Sequence, residues 1–257
     1  MFVGSWNVNS LKVRLPQVLA WLEDNPMTLL GLQETKLKDA DYPAAEFARA
    51  GYQSLFCGQP AYNGVAVLYQ GTQPFELVAN ALPGFNDEQK RVLCAAADDL
   101  CFLNLYVPNG SEVGSDKYAY KLDWLAALND WIGQLLKDFP RLVVVGDFNV
   151  APDDRDVHDP AAWHEKILCS TPEREALRKI CAQGLHDSFR LFDQPAGEFS
   201  WWDYRAAGFR RNRGLRIDHI LVSDALAGQC QCSLIDKEPR RNERPSDHAP
   251  VLAEFAS

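Results

Sequence analysis

Glu34, Asp147, Asp218 and Asp247 are four carboxylates far apart in the chain, yet each stands at the end or the beginning of a short apolar run. Asn7 and Asn9 follow the run 2–6, and Gln33-Glu34 follows 28–32. Tyr106 closes 101–106, and Gly146-Asp147-Phe148-Asn149 closes 141–145. Two clusters lie at run beginnings instead: Asp218 in Arg216-Ile217-Asp218-His219, and Ser246-Asp247-His248 before 250–255. If these runs are strands and the last two oppose the others, all six groups share one edge, where open sheets bind ligands. A single strand-end Asp or Glu is usually a turn former. As a set they point to chemistry.

Carboxylates gathered at one edge cannot all stay ionised without a cation, because like charges raise one another's pKa. An oxygen-only set with Asn amides suits a hard ion, Mg2+ or Mn2+, better than zinc. Such an ion polarises a phosphoryl oxygen and steadies a leaving group. Asp147 is placed to orient and deprotonate water, and Asn149 to hold that water or donate to a charged phosphorane. His248 can donate to a phosphate oxygen while Asp218 fixes its tautomer, and Tyr106 offers a hydroxyl to the same group.

The elements that must position these residues are mostly short strands. Apolar runs bounded by Gly, Asn, Asp and Pro cover 2–6, 28–32, 64–69, 92–97, 101–107, 141–146, 217–222 and 250–255. Asp98-Asp99 breaks two of them and reads as a hairpin. Leu15, Val18, Leu19 and Leu22 recur at helical spacing on 11–24, and a second helix over about 117–137 carries Leu122, Leu125, Leu128, Ile132 and Leu135. A third, about 172–182, opens with Pro172 in its first turn and ends before Gly184. Few helices amid many strands predict a mixed α/β sandwich. No repeat, linker or compositional break divides residues 1–257, so one domain is expected.

Composition adds limits. The chain is 47% hydrophobic and 24% charged, enough to bury a large core. No apolar stretch approaches membrane-spanning length, and the start lacks the features of a secretory signal, so a cytoplasmic protein is expected. The seven cysteines are scattered without a C-x-x-C pair, which argues against zinc and for reduced, buried thiols. A net charge of -9 weighs against a polyanionic partner. Its distribution does not. Arg205, Arg210, Arg211, Arg213 and Arg216 fall in a stretch without acids, giving one basic face to an acidic body.

These residues also resemble a known family, the exonuclease III-type apurinic/apyrimidinic endonucleases of the endonuclease/exonuclease/phosphatase superfamily. The resemblance spans essentially the whole chain. Its motifs are Trp6-Asn7-Val8-Asn9, Leu32-Gln33-Glu34-Thr35-Lys36, Asn63-Gly64-Val65-Ala66, Tyr106-Val107-Pro108-Asn109-Gly110 and Gly146-Asp147-Phe148-Asn149-Val150-Ala151. Trp201-Trp202-Asp203-Tyr204-Arg205, Gly214-Leu215-Arg216-Ile217-Asp218 and Ser246-Asp247-His248-Ala249-Pro250 follow in the same order. The resemblance implies a DNase I-like four-layer α/β sandwich, two packed mixed sheets flanked by helices. It implies an Mg2+-dependent repair nuclease with 3′-to-5′ exonuclease, abasic endonuclease and 3′-phosphatase activities. Its partner would be double-stranded DNA bearing abasic sites or blocked or recessed 3′ ends, met by a monomer.

Residue by residue, Asn7, Glu34 and Asp247 match metal-associated positions, with Asp147, Asn149 and His248 beside them. Tyr106, Asp147 and His248 match the active-site tyrosine, general base and phosphate-binding histidine. Asp218 matches the partner of that histidine, and Asn149 the transition-state stabiliser. Trp201, Leu215 and Ile217 match a pocket for an extruded abasic sugar, with Asn109, Arg205, Arg213 and Arg216 as DNA contacts. One of Trp201 and Trp202 is expected in the core. A bulky Ile167 stands, near His164, where family members that cut abasic sites tend to carry small residues. Ordinary packing of Ile167 and Leu168 is the preferred reading, and if the loop overhangs the pocket it would shift preference toward 3′-end trimming. Two other readings remain: a sister phosphodiesterase acting on phosphoinositides or sphingomyelin, and a catalytically silent DNA-binding module. The basic 205–216 run weighs against the first, and the intact set of carboxylates and histidine against the second.

Overall fold

The computed structural model describes residues 1–256. The chain begins β1 (Phe2–Asn7), α1 (Leu11–Asp24), β2 (Leu29–Gln33), α2 (Ala44–Arg49), β3 (Gln53–Cys57), β4 (Val65–Tyr69) and β5 (Glu76–Ala79). Then come β6 (Val92–Ala97), β7 (Leu100–Tyr106), α3 (Asp116–Asp138), β8 (Arg141–Asp147), α4 (Pro160–Trp163) and α5 (Thr171–Cys181). The last part holds β9 (Leu185–Asp187), β10 (Trp201–Trp202), β11 (Gly214–Leu215), β12 (Asp218–Ser223), α6 (Asp224–Ala227), β13 (Cys230–Ile235) and β14 (Val251–Phe255).

Two mixed six-stranded sheets result, ordered β13-β14-β1-β2-β4-β3 and β5-β6-β7-β8-β12-β9, with β10 and β11 as a small ribbon beside them. Alternation along each strand decides which side chains meet which layer. On β8, Val143 and Val145 point to the other sheet and, with Ile220 of the neighbouring β12, meet Val3, Val67 and Val251. Leu142 and Val144 on the same strand point outward to Trp124, Leu128 and Ile180 of α3 and α5. On the far side, Leu30, Leu32 and Leu68 pack under Val18 and Leu22 of α1 and Phe47 of α2. These are the four layers expected.

Both sheets end at the same edge. β1 and β2 run parallel with Asn7 opposite Gln33, and β7 and β8 run parallel with Tyr106 opposite Asp147. β12 and β14 run the other way, so their first residues arrive at that edge, with Asp218 facing Asp147. Gly146 is required there. Its φ is 149°, and a Cβ would lie 1.9 Å from the Leu105 carbonyl oxygen.

Candidate active site

The strand ends deliver their polar groups into a tight constellation. Ligand atoms of Glu34, Asp147 and His248 all lie within 4.8 Å of one another. Asn7, at the end of β1, donates from Nδ2 to Glu34 Oε1 (2.9 Å) and Asp147 Oδ2 (3.0 Å), bridging the two sheets. Asn149 turns back onto Asp147, its amide donating to Oδ1 at 2.9 Å. Its side chain donates to the Val107 carbonyl (3.0 Å) and accepts from Asn109 Nδ2 (2.9 Å). Glu34 and Asn149 both hold positive φ, 51° and 50°. Non-glycine residues keep that backbone only where their surroundings impose it.

His248 sits between two aspartates. Its Nδ1 lies 2.8 Å from Asp218 Oδ2, and its Nε2 lies 3.7 Å from Asp147 Oδ2. Burial works against a charged ring, but Asp218 and Asp147 outweigh it and push the imidazole pKa up to about 10. Burial likewise raises Asp147, to about 7, with Asp218 and Glu34 adding to the rise and His248 opposing it. Burial, with Glu34 and Asp147 nearby, holds the Tyr106 phenol well above its ordinary value, so it stays a donor. The Arg91 guanidinium lies 4.6 Å from its ring centroid.

The expected gathering of four carboxylates round one ion divides into two roles. Glu34 and Asp147 lie within reach of one another, joined through Asn7. Asp218 is taken up by His248, and both Asp247 oxygens are occupied, by Asn9 Nδ2 (2.8 Å) and Trp201 Nε1 (3.0 Å). Those two donors and His248 hold the Asp247 pKa below the usual carboxylate value despite burial. Asn7 presents its amide nitrogen, not its oxygen, to the carboxylates, since its Oδ1 accepts from the Asn9 amide. His248 turns Nδ1 to Asp218 and Nε2 toward Asp147, and a hard cation prefers oxygen to a ring nitrogen. The oxygens of Glu34 and Asp147 are therefore the donors that fit a hard divalent cation.

Leu215 and Ile217 are buried with Ala151, Val157 and Leu168 in a small apolar cluster, edged by Trp163, Ile167 and Trp201. Trp202 lies in the central core and Trp201 at this edge. Arg205 and Arg213 are exposed, Arg205 beside Asp203. Arg216 corrects the expectation of a phosphate contact. It is 1% exposed and clamped between Asp156 (2.6 Å) and Asp187 (2.7 Å), so no free N–H faces solvent. Sequence reasoning gave no role to Lys36, whose ammonium lies 2.9 Å from Glu34 Oε2 and also reaches Asn9. Its only signal was a lysine two residues after the strand-end glutamate.

With this geometry, the chain belongs to the endonuclease/exonuclease/phosphatase family, whose model matches residues 4–248. Among its relatives, exodeoxyribonuclease III of Haemophilus influenzae is 36% identical over 264 residues, covering 98% of each chain. Among solved structures, a 3′ phosphatase from Neisseria bound to a product DNA hairpin superposes with a TM-score of 0.97 at 44% identity, over 100% of both chains. An AP endonuclease from Archaeoglobus fulgidus gives 0.94 at 34% identity, again over 100% of both.

Proposed function

We propose that the protein is a divalent-metal-dependent DNA phosphodiesterase of the exodeoxyribonuclease III type. It trims or hydrolyses 3′ ends of double-stranded DNA and cuts at abasic sites. The observation that carries this reading is the Asp218–His248–Asp147 line, ending beside Glu34, with ligand atoms of Glu34, Asp147 and His248 all within 4.8 Å of one another. Glu34 and Asp147 would hold a divalent cation, Mg2+ or Mn2+, which when bound would supply Lewis acidity at the phosphate and charge for the leaving oxygen. Asp147 orients water and takes its proton as the water oxygen bonds to phosphorus, and the bond from phosphorus to the ester oxygen breaks, that oxygen leaving as the alcohol after it gains a proton. His248, held by Asp218, donates from Nε2 to a non-bridging oxygen where negative charge grows. Tyr106 and Asn149 line the same side and act as further donors to that charge. Asn7 holds Glu34 and Asp147 in register, and Asp247 anchors Asn9 and Trp201.

The apolar cluster around Leu215 and Ile217 suits a sugar without a base, which leaves the stack at least cost. Arg205, Arg213 and Asn109 serve as contacts that position the duplex without reading sequence. Because both sheets feed the site, residues 1–257 act as one domain. A monomer in the cytoplasm, where DNA lies, completes the reading, and no described helix is long and apolar enough to cross a membrane.

Ile167 narrows the substrate. Its Cδ1 would lie 2.9 Å from a Cβ at Gly110, and its side chain packs against the same apolar cluster as Trp201. That crowding favours 3′-end trimming over abasic cleavage. Incubating the protein with an abasic duplex, a 3′-phosphate duplex, a blunt duplex and a phospholipid, each with Mg2+ and with EDTA, tests both statements. Mg2+-dependent DNA turnover, fastest on the 3′-phosphate, is expected. Lipid cleavage without DNA cleavage would remove the assignment.

A further inference from the structure

Lys121 and Glu173 form an ion pair in which both side chains are 0% exposed, and no step above uses either. Lys121 lies on α3, within the buried stripe that holds Tyr118, Trp124, Leu125 and Leu128. Its ammonium donates to the Asn149 carbonyl (2.7 Å), to the Asn109 carbonyl (3.1 Å) and to the Glu173 carboxylate. Each of its three hydrogens therefore has one acceptor. Glu173, in the first turn of α5, accepts from the Leu168 amide (3.1 Å), the Ser170 amide (3.1 Å) and the Ser170 hydroxyl (2.6 Å). One pair thus joins the loop after β7, the loop after β8 and the segment before α5.

Two of the tied carbonyls belong to residues that face the site. Asn109 and Asn149 are bonded to each other, and Asn149 holds its positive φ directly above the lysine. Gly110 is pressed onto the same stem, since a Cβ there would lie 3.0 Å from Lys121 Cδ. Burying two charges costs desolvation that their attraction seldom exceeds, and apolar replacements are often as stable. Stability therefore gives little reason for the pair. The placement of two backbone carbonyls does.

We propose that Lys121, held by Glu173, is a positioning residue for the reaction: it fixes the backbone of Asn149 and Asn109 so that the Asn149 amide meets the reacting phosphate. This rests on the nuclease reading above. The variant Lys121→Met/Glu173→Gln removes both charges together and keeps an acceptor for the α5 cap. Steady-state kinetics on a 3′-phosphate duplex should show kcat lower by about 30-fold with KM within about threefold, as expected for a reacting group displaced by a fraction of an ångström. In an Asn149→Ala background the same pair should cost less than about threefold, because the path it acts through is gone.

Equal losses in both backgrounds, a loss confined to KM, or no loss would each overturn the proposal. Thermal melts accompany every variant. If the pair variant fails to melt cooperatively, the isosteric Glu173→Gln is read in the same cycle. A fall in kcat of about fivefold in the parent, absent with Asn149→Ala, is expected, and an unchanged parent kcat overturns the proposal. The wild type, run alongside, separates the two ideas. No DNA cleavage by it removes the nuclease reading and the proposal together, whereas equal cleavage by wild type and variant removes the proposal alone.

Discussion

Two buried acid–base–acid clusters lie two residues apart on the chain, at Arg216 and Asp218, and they do different work. Arg216 is held by Asp156 and Asp187, and Arg190 closes on Asp156 from the other side. Burial disfavours its charge, but the two aspartates outweigh that and raise its pKa further. A guanidinium so placed never titrates, and its fork suits two carboxylates at once. Asp218 instead pairs with His248, a ring that can change its charge and whose second nitrogen lies toward Asp147. The first cluster is buried among its own charges and serves the fold. The second runs to Glu34, whose side chain is 17% exposed, and that is the side from which a phosphate would enter.

The largest expected effect comes from the open cluster. Asp147→Asn keeps the shape and the bond from the Asn149 amide but cannot take a proton. Loss of a general base that also binds the cation should lower kcat by about a thousandfold or more. DNA affinity, read by fluorescence anisotropy, should change by no more than about threefold, because phosphate contacts lie elsewhere. Full activity in that variant would refute the role of Asp147.

Next comes a direct contrast between the clusters. His248→Gln should lower kcat by about a hundredfold, in the range of one lost transition-state donor, while its amide keeps a donor on Asp218 and limits the loss of stability. Arg216→Met should do the reverse. It strands Asp156 and Asp187 as uncompensated buried charges and should cost about 3–5 kcal/mol of stability by denaturant titration. A stable Arg216→Met protein with impaired DNA binding would restore the phosphate contact that its burial argues against.

The smallest expected effect concerns pH. The cation and a proton compete for Asp147, whose pKa is raised to about 7 by burial first and by Asp218 and Glu34 next. Apparent metal affinity by calorimetry should therefore be flat above that pH and fall as pH drops through it, by up to about tenfold per unit. His248, raised to about 10, keeps its charge throughout this range. An affinity that rises toward acid pH would contradict the assigned competition.

The same contrast shows what the sequence could convey. The strands that carry the site, β1, β2, β7, β8, β12 and β14, are apolar on both faces or nearly so, and their polar ends stand out against them. The strands not anticipated include β3, β5, β9 and β13, which are the four edges of the two sheets. Edge strands are short or polar on one side, so the run of apolar residues that marks a central strand is missing. Arg216 looked like its neighbours in an arginine-rich segment. Only its position between Leu215 and Ile217 hinted at burial, and its acidic partners at 156 and 187 are brought to it by the fold. Lys121 hid in the same way. A lysine in an otherwise apolar helical stripe is the trace of a buried pair, but Glu173 lies 52 residues further on.

The central claim is that acidic side chains brought from separate strands share one hard cation and use it on a phosphodiester. Initial rates on a 3′-phosphate duplex, with free Mg2+ titrated upward from excess chelator, test it most directly for wild type and Glu34→Gln. No turnover in chelator, recovery on adding Mg2+, and a higher Mg2+ requirement for Glu34→Gln are predicted. Undiminished hydrolysis in chelator, or identical Mg2+ curves for the two proteins, would contradict the account.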